Sequence, residues 1–315
     1  MNLKLTVMQA MDLKSKRTSG HFAALVTILV WGTTLISTKA LLADFQPIEI
    51  LFFRFTLGLL ALLLVCPHRL KGTTFRQECT FLIAGFFGVC LYYLLENIAL
   101  VYSMASNVGV ILSAAPFFTA LFSRAFTKTS EKLRGNFFAG FVVAMAGIAL
   151  ISFNGTKLQL NPLGDLLALC AAICWALYSL FIKKISGFGH NTILATRHVI
   201  FYGLICMIPA LFFFDFKLEL SRLMKTTNLL HFLFLGFCAS ALCFVTWNTA
   251  IKLLGPVKTT TYIYIIPIVT VIASALFLHE KITPLAIAGT ALILTGLILS
   301  EGRNPFRRSK ATEPE

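Results

Sequence analysis

The chain has 315 residues, of which 57% are hydrophobic and 13% charged, and its mean hydropathy is +0.83. That composition excludes an ordinary soluble domain. The formal net charge of +14 would suit a nucleic-acid binder, but the charge follows membrane topology instead, so no nucleic-acid partner is expected.

A bilayer-spanning helix needs about 20 mostly apolar residues. Ten stretches qualify in chain order: 22–42, 48–66, 80–102, 107–126, 135–153, 163–183, 192–214, 229–251, 258–278 and 284–300. The first is too long for a signal-peptide core, so it reads as an uncleaved first helix. The predicted fold class is an all-α membrane protein of ten transmembrane helices. Residues 1–21 and 301–315 are short tails. Placing both tails in the cytoplasm puts 19 of the 27 Lys and Arg on that side, with loops 67–79 and 127–134, and five on the other. The positive-inside rule favours that orientation. Loop 215–228 resists it, because Lys217, Arg222 and Lys225 fall outside. The expected location is a bacterial inner membrane.

The chain also repeats itself. Trp31 and Lys39 recur as Trp175 and Lys183, and Arg54 recurs as Arg197. Gly85, Asn97, Ala99 and Pro116 return at a constant offset of 151 as Gly236, Asn248, Ala250 and Pro267. After a two-residue slip, Glu131-Lys132, Gly140 and Gly147 match Glu280-Lys281, Gly289 and Gly296. The predicted domains are two five-helix repeats, 22–153 and 163–300. Five is odd, so the second repeat enters the membrane inverted, and a cavity between the halves near mid-bilayer follows. Such a molecule can open to either side by alternating access.

Residues 97–116, NIALVYSMASNVGVILSAAP, and residues 278–299, LHEKITPLAIAGTALILTGLIL, resemble the EamA branch of the drug/metabolite transporter superfamily. Trp31-Gly32 and the FFRF around Arg54 fit the same pattern. The resemblance spans residues 22–300 and implies a carrier of amino acids, other metabolites or drugs, with more distant relatives exchanging nucleotide-sugars or phosphorylated sugars.

Polar groups in hydrocarbon are costly, so those present are either packed inward or functional. Glu96 is the acidic side chain placed well inside a helix. It can take a proton, a cation or a substrate ammonium, or it can pair with Arg54. Its counterpart in the second half is Trp247, so there is no symmetric carboxylate pair. Trp31 and Trp175 sit inside their helices rather than at the interfacial belt. Thr34 shares the face of Trp31, and Tyr178 that of Trp175. With Asn97, Asn248 and Tyr264 these residues are the candidate lining of a substrate pathway, and for each the alternative is ordinary helix packing. Arg54 and Arg197 are candidate charge partners for a carboxylate. Lys39 and Lys183 read as snorkelling to the interface. Pro116 and Pro267 are candidate breaks in the fourth and ninth helices, because each removes a backbone donor. Gly140, Ala144, Gly147, Gly289 and Gly296 form small-residue faces that suit packing within one chain or a homodimer contact.

The sequence carries no nucleophile elbow, P-loop or zincin motif, and no Cys-x-x-Cys spacing. Cys170 and Cys174 read as small buried hydrophobes. No catalytic residue, metal or cofactor is expected. The reading is a secondary-active carrier of a small organic solute, most simply an exporter of amino acids or related metabolites, with protons as the coupling ion. An exchanger of nucleotide-like or phosphorylated metabolites is the runner-up. An intramembrane enzyme and a non-transporting scaffold are the alternatives from other classes.

Overall fold

A computed structural model describes residues 2–103, 105–126, 135–152, 161–214, 216–217, 219–277 and 283–301. Every regular element among them is helical. Helix α1 (Asn2–Leu41) is followed by α2 (Pro47–Val65) and α3 (Phe75–Gly85). A π-helical segment, Phe86–Leu91, joins α3 to α4 (Tyr92–Tyr102). Then come α5 (Ala105–Leu112), α6 (Ala115–Phe126) and α7 (Gly135–Ser152). The later part holds α8 (Pro162–Ser186), α9 (Thr192–Phe213), the single turn α10 (Leu220–Leu223) and α11 (Thr226–Leu233). A second π-helical segment, Phe234–Leu242, leads into α12 (Cys243–Leu254). Helix α13 (Pro256–Thr260) passes through a 3₁₀ turn into α14 (Ile266–Phe277), and α15 (Pro284–Glu301) closes the series.

Seven helical runs among the described residues are long and apolar enough to cross a bilayer, beginning with Ser15–Leu41 and ending with Thr226–Leu254. Two shorter apolar helices, Gly135–Leu150 and Ile287–Ser300, fall on the predicted stretches 135–153 and 284–300. The 258–278 stretch is the broken run α13 to α14. Helix α1 begins well before residue 22, since no proline interrupts the chain until Pro47. Helix α3 starts at Phe75, where the Thr74 side chain caps it. Loop 127–134, residues 153–160, the Glu131-Lys132 and Glu280-Lys281 pairs and residues 302–315 lie outside the described residues.

The helices change course near Pro116 and Pro267. Helix α5 stops at Leu112, two turn residues follow, and Pro116 sits in the first turn of α6. Pro267 follows the 3₁₀ turn at the start of α14. The two π-helical segments overlap at the 151 offset: Gly85 immediately precedes the first, and its match Gly236 is the third residue of the second.

Helix pairing recurs as well. Gly20 on α1 lies against Leu253 and Leu254 at the end of α12, and Gly164 on α8 lies against Tyr102 and Ser103 at the end of α4. Gly20 and Gly164 stand 144 apart, the offset of Trp31 and Trp175. With lipid as solvent, close packing and interhelical hydrogen bonds hold helices together. Thr27 bonds Thr246 at 2.6 Å across the first pairing, and Ser103 donates to Asp165 at 3.0 Å across the second. The small-residue faces meet inside the chain: a Cβ on Gly140 would come 2.5 Å from the Gly296 carbonyl oxygen, and one on Gly147 2.5 Å from that of Gly289.

Two of the three cations of loop 215–228 have acidic counterparts. Lys225 pairs with Asp44 at 3.1 Å, and Arg222 pairs with Glu219 at 2.8 Å and reaches Glu49 at 3.4 Å. The Lys217 amide donates to Glu49 at 3.0 Å.

Candidate functional site

The centre of the bundle is an aromatic hub built by four helices. Trp31 on α1 lies 5.2 Å from Trp175 on α8 and 5.1 Å from Trp247 on α12, and the last two are 5.9 Å apart. Tyr92 on α4 packs on Trp175 at 4.8 Å, and Phe244 meets both Trp31 and Tyr178. Each such pair adds about 0.5–1.5 kcal/mol beyond its buried area, so the hub fixes where these helices cross. The Trp31 indole donates to the Ala239 carbonyl at 3.2 Å, a group in the second π-helical segment. Such segments recur at functional sites because their backbone bonding is displaced.

Arg54 on α2 is 2% exposed. Its Nε donates to Ser240 at 3.0 Å, its guanidinium lies 4.4 Å from the centre of the Tyr93 ring, and its Nη2 has no hydrogen-bond partner. The Trp175 and Trp247 indole nitrogens are likewise buried without a partner. A buried donor without a partner is costly; of these three residues, Trp175 lines the cavity beside the hub.

A cavity opens beside the hub. Trp31, Thr34, Tyr92, Tyr93, Glu96 and Trp175 give it its chemistry, and Leu35, Leu112, Ile263 and Ile266 its apolar wall. Glu96 is 7% exposed and makes no hydrogen bond or ion pair among the described residues. Arg54 makes no direct ion pair with it, although its charge attracts the carboxylate; Tyr93, three residues before Glu96 on the same face of α4, is the ring on which Arg54 rests. Glu96 is the charged side chain of the cavity lining. A carboxylate under aromatic rings can accept a proton or hold an ammonium group by charge and cation–π attraction.

Of the sequence-predicted pathway residues, Trp31, Thr34, Glu96 and Trp175 meet in this cavity. Tyr178 lies behind Trp175 at 5.0 Å and donates to Asn248 at 2.7 Å. Asn248 also donates to Thr196 at 2.9 Å and faces a second hollow. Asn97 donates to the Pro47 carbonyl at 3.1 Å, which ties α4 to the start of α2. Tyr264 packs with Ala144, Ile148 and Ile293, its hydroxyl buried and without a partner, and it is not among the residues lining either hollow. Arg197 grips the carbonyls of Cys66 and His68 beyond the end of α2. Lys39 and Lys183 bond carbonyls too, of Leu100 and Lys252. All eight cysteines are free. Tyr92, Tyr93 and Ser240 escaped the sequence reading. The two tyrosines stand one turn before Glu96, and that spacing was the available signal.

The EamA-like transporter family model matches residues 18–153 and again residues 162–301. The chain belongs to the EamA-like transporter family. Among the relatives of this EamA-like transporter is the "Probable amino-acid metabolite efflux pump" of Escherichia coli K12, 27% identical over 88% of this chain and 93% of that protein. An uncharacterized transporter of Bacillus subtilis strain 168 is 26% identical over 90% and 92%. The "Probable terminal-alkyne amino-acid exporter" of Streptantibioticus cattleyicolor is 23% identical over 95% and 99%. A crystal structure superposes with a TM-score of 0.72 over 90% of this chain and 96% of the other, at 18% identity, a likeness of fold. The EamA-like chain is therefore a multi-pass membrane transporter, with a small solute and the lipid bilayer as its partners. Its family and relatives are named for transport, not for catalysis.

Proposed function

We propose that this EamA-like transporter is a secondary-active exporter of amino acids or related metabolites. It works by alternating access between two inverted five-helix repeats, 22–153 and 163–300, ten helices in all. Both termini face the cytoplasm of a bacterial inner membrane, and protons are the coupling ion. The observation that carries this reading is the Glu96 cavity, which takes lining from helices of both halves and joins one buried carboxylate to Trp31, Tyr92 and Trp175. The doubled family match supports the two repeats. Relatives named as amino-acid exporters support the solute class. The runner-up, an exchanger of phosphorylated metabolites, is disfavoured because no basic side chain is among the described residues lining that cavity. A homodimer is not needed to build it.

Reconstituted protein tests the reading. Proteoliposomes loaded with a panel of amino acids should lose some of them faster than empty-lipid controls, and a pH gradient should change the rate. Silence across the panel would favour a scaffold. Chemical conversion without translocation would favour an enzyme.

A further inference from the structure

A second hollow lies against the hairpin between α8 and α9. Its polar lining is Ser186, His190, Thr192, Thr196, Asn248 and Lys252. No acidic side chain is among the described residues that line it. The Lys252 ammonium is exposed and makes no hydrogen bond or ion pair among the described residues. The His190 Nε2 is buried without a partner. The hollow also meets the start of α9, a helix of 22 residues, whose first-turn amides and dipole favour negative charge.

A chain of three side chains links the two hollows. Asn248 lines the second hollow, is bonded to Tyr178, and Tyr178 packs on Trp175 of the Glu96 cavity. One hollow therefore offers a carboxylate, and the other a cation and a buried imidazole nitrogen without a partner. We propose that the hollow at the α8–α9 hairpin is an anion subsite. It takes the carboxylate group of an amphoteric solute on the path to the Glu96 cavity, where the ammonium group is held. This rests on the reading of the chain as an amino-acid carrier and adds how the two charges of the solute are read. The Tyr178–Asn248 bond is the partition that must open for the solute to pass.

The test uses full-length protein in phosphatidylcholine nanodiscs and two sets of half-substrates. The N-acetyl forms of the twenty amino acids keep the carboxylate and lack the ammonium; the amino-acid amides do the reverse. Calorimetry should find N-acetyl forms that bind. Lys252→Gln should weaken them about tenfold, the worth of one charge-assisted hydrogen bond, and Glu96→Gln should leave them unchanged. The amides should show the opposite dependence. Because Lys252 is exposed, its replacement does not threaten folding, and His190→Gln gives a second variant with the same expected direction. Failure of every N-acetyl form to bind, or wild-type affinity in both variants, overturns the subsite. So does loss of N-acetyl binding in wild-type protein when phosphatidylglycerol replaces phosphatidylcholine, which would assign the hollow to a lipid headgroup. Amino-acid transport with an unchanged KM in Lys252→Gln would remove the subsite and keep the carrier, whereas absence of any amino-acid transport by the wild type would remove the carrier itself.

Discussion

Tyr178 on α8 donates its hydroxyl proton to Asn248 on α12 at 2.7 Å, and the two side chains are 0% and 4% exposed. Gly88, in the first π-helical segment, lies directly against the same ring: a Cβ there would come 2.1 Å from Tyr178 Cδ2. The hub therefore depends on a glycine in one half to seat a tyrosine that bonds an asparagine in the other half. Tyr178→Phe leaves the Asn248 oxygen buried without its donor, a loss of about 1–3 kcal/mol. Gly88→Ala should cost at least as much, since the ring has no room to retreat within the hub. Thermal unfolding of purified protein in detergent checks both. Two variants as stable as wild type would mean that this contact is loosely packed.

The pairing of α7 with α15 makes a separate prediction. A Cβ on Gly140 would lie 2.4 Å from the Ser300 amide nitrogen, a backbone group that cannot swing aside. Overpacking of this kind costs about 1–3 kcal/mol, so Gly140→Ala should lower the unfolding temperature. Gly135→Ala is the control, because nothing stands within 4 Å of the added carbon. Equal stability of the two variants would contradict the close approach of these helices.

The duplicated residues show what the sequence could and could not reveal. Offset arithmetic found Trp31 with Trp175, Arg54 with Arg197 and Asn97 with Asn248 because apolar helices tolerate few coincidences of unlike residues. It could not show that the members of a pair had diverged in use. Arg197 satisfies loop carbonyls while Arg54 rests on Tyr93 with a nitrogen unpaired. Asn248 is fully engaged with two side chains, whereas Asn97 leaves its oxygen unpaired. Those differences arise from which neighbour each helix face meets, and no spacing encodes that. The π-helical segments were invisible for a similar reason, since one extra residue in a turn leaves no mark on an all-apolar pattern. Glu96 was legible because a carboxylate in hydrocarbon stands out by composition alone.

At the end of α1 the connection between the halves is electrostatic. Asn228 and Lys225 both donate to Asp44, and these bonds, with the nearby Arg222 charge, hold the Asp44 carboxyl below its usual range. A depressed carboxyl contributes stability above its unfolded pKa, about 3.9, and loses it as pH falls through the lower folded value. Between pH 5 and 8 this link should therefore be constant. Asp44→Asn should change stability little at neutral pH, because exposed pairs are worth little. Arg222→Gln should cost more, about 1–3 kcal/mol, since Arg222 also holds the Asp44 carbonyl at 2.6 Å and reaches Glu49, whose side chain is 1% exposed. Unfolding temperatures of the two variants from pH 4 to pH 8 decide the matter. A pH-dependent loss for Asp44→Asn near neutrality would contradict this account.

Glu96 carries the last prediction, which concerns coupling. It faces the cavity with no ion-pair partner among the described residues, and the Arg54 guanidinium, which rests on the Tyr93 ring, acts on it by charge alone. Adding or removing a proton changes its charge, and a charge in this medium is expensive, so protonation can bias which state the carrier adopts. Glu96→Gln mimics the protonated side chain in shape and cannot titrate. Transport by that variant should lose its dependence on pH. Arg54→Lys keeps the positive charge but forfeits the planar fork that now spans Ser240 and Tyr93. It should slow transport and leave the pH response in place. Both are measured as solute flux in proteoliposomes at a series of external pH values. A Glu96→Gln protein with wild-type rate and wild-type pH response would make the carboxylate structural, and exchange or facilitated diffusion would then be the simpler mechanism.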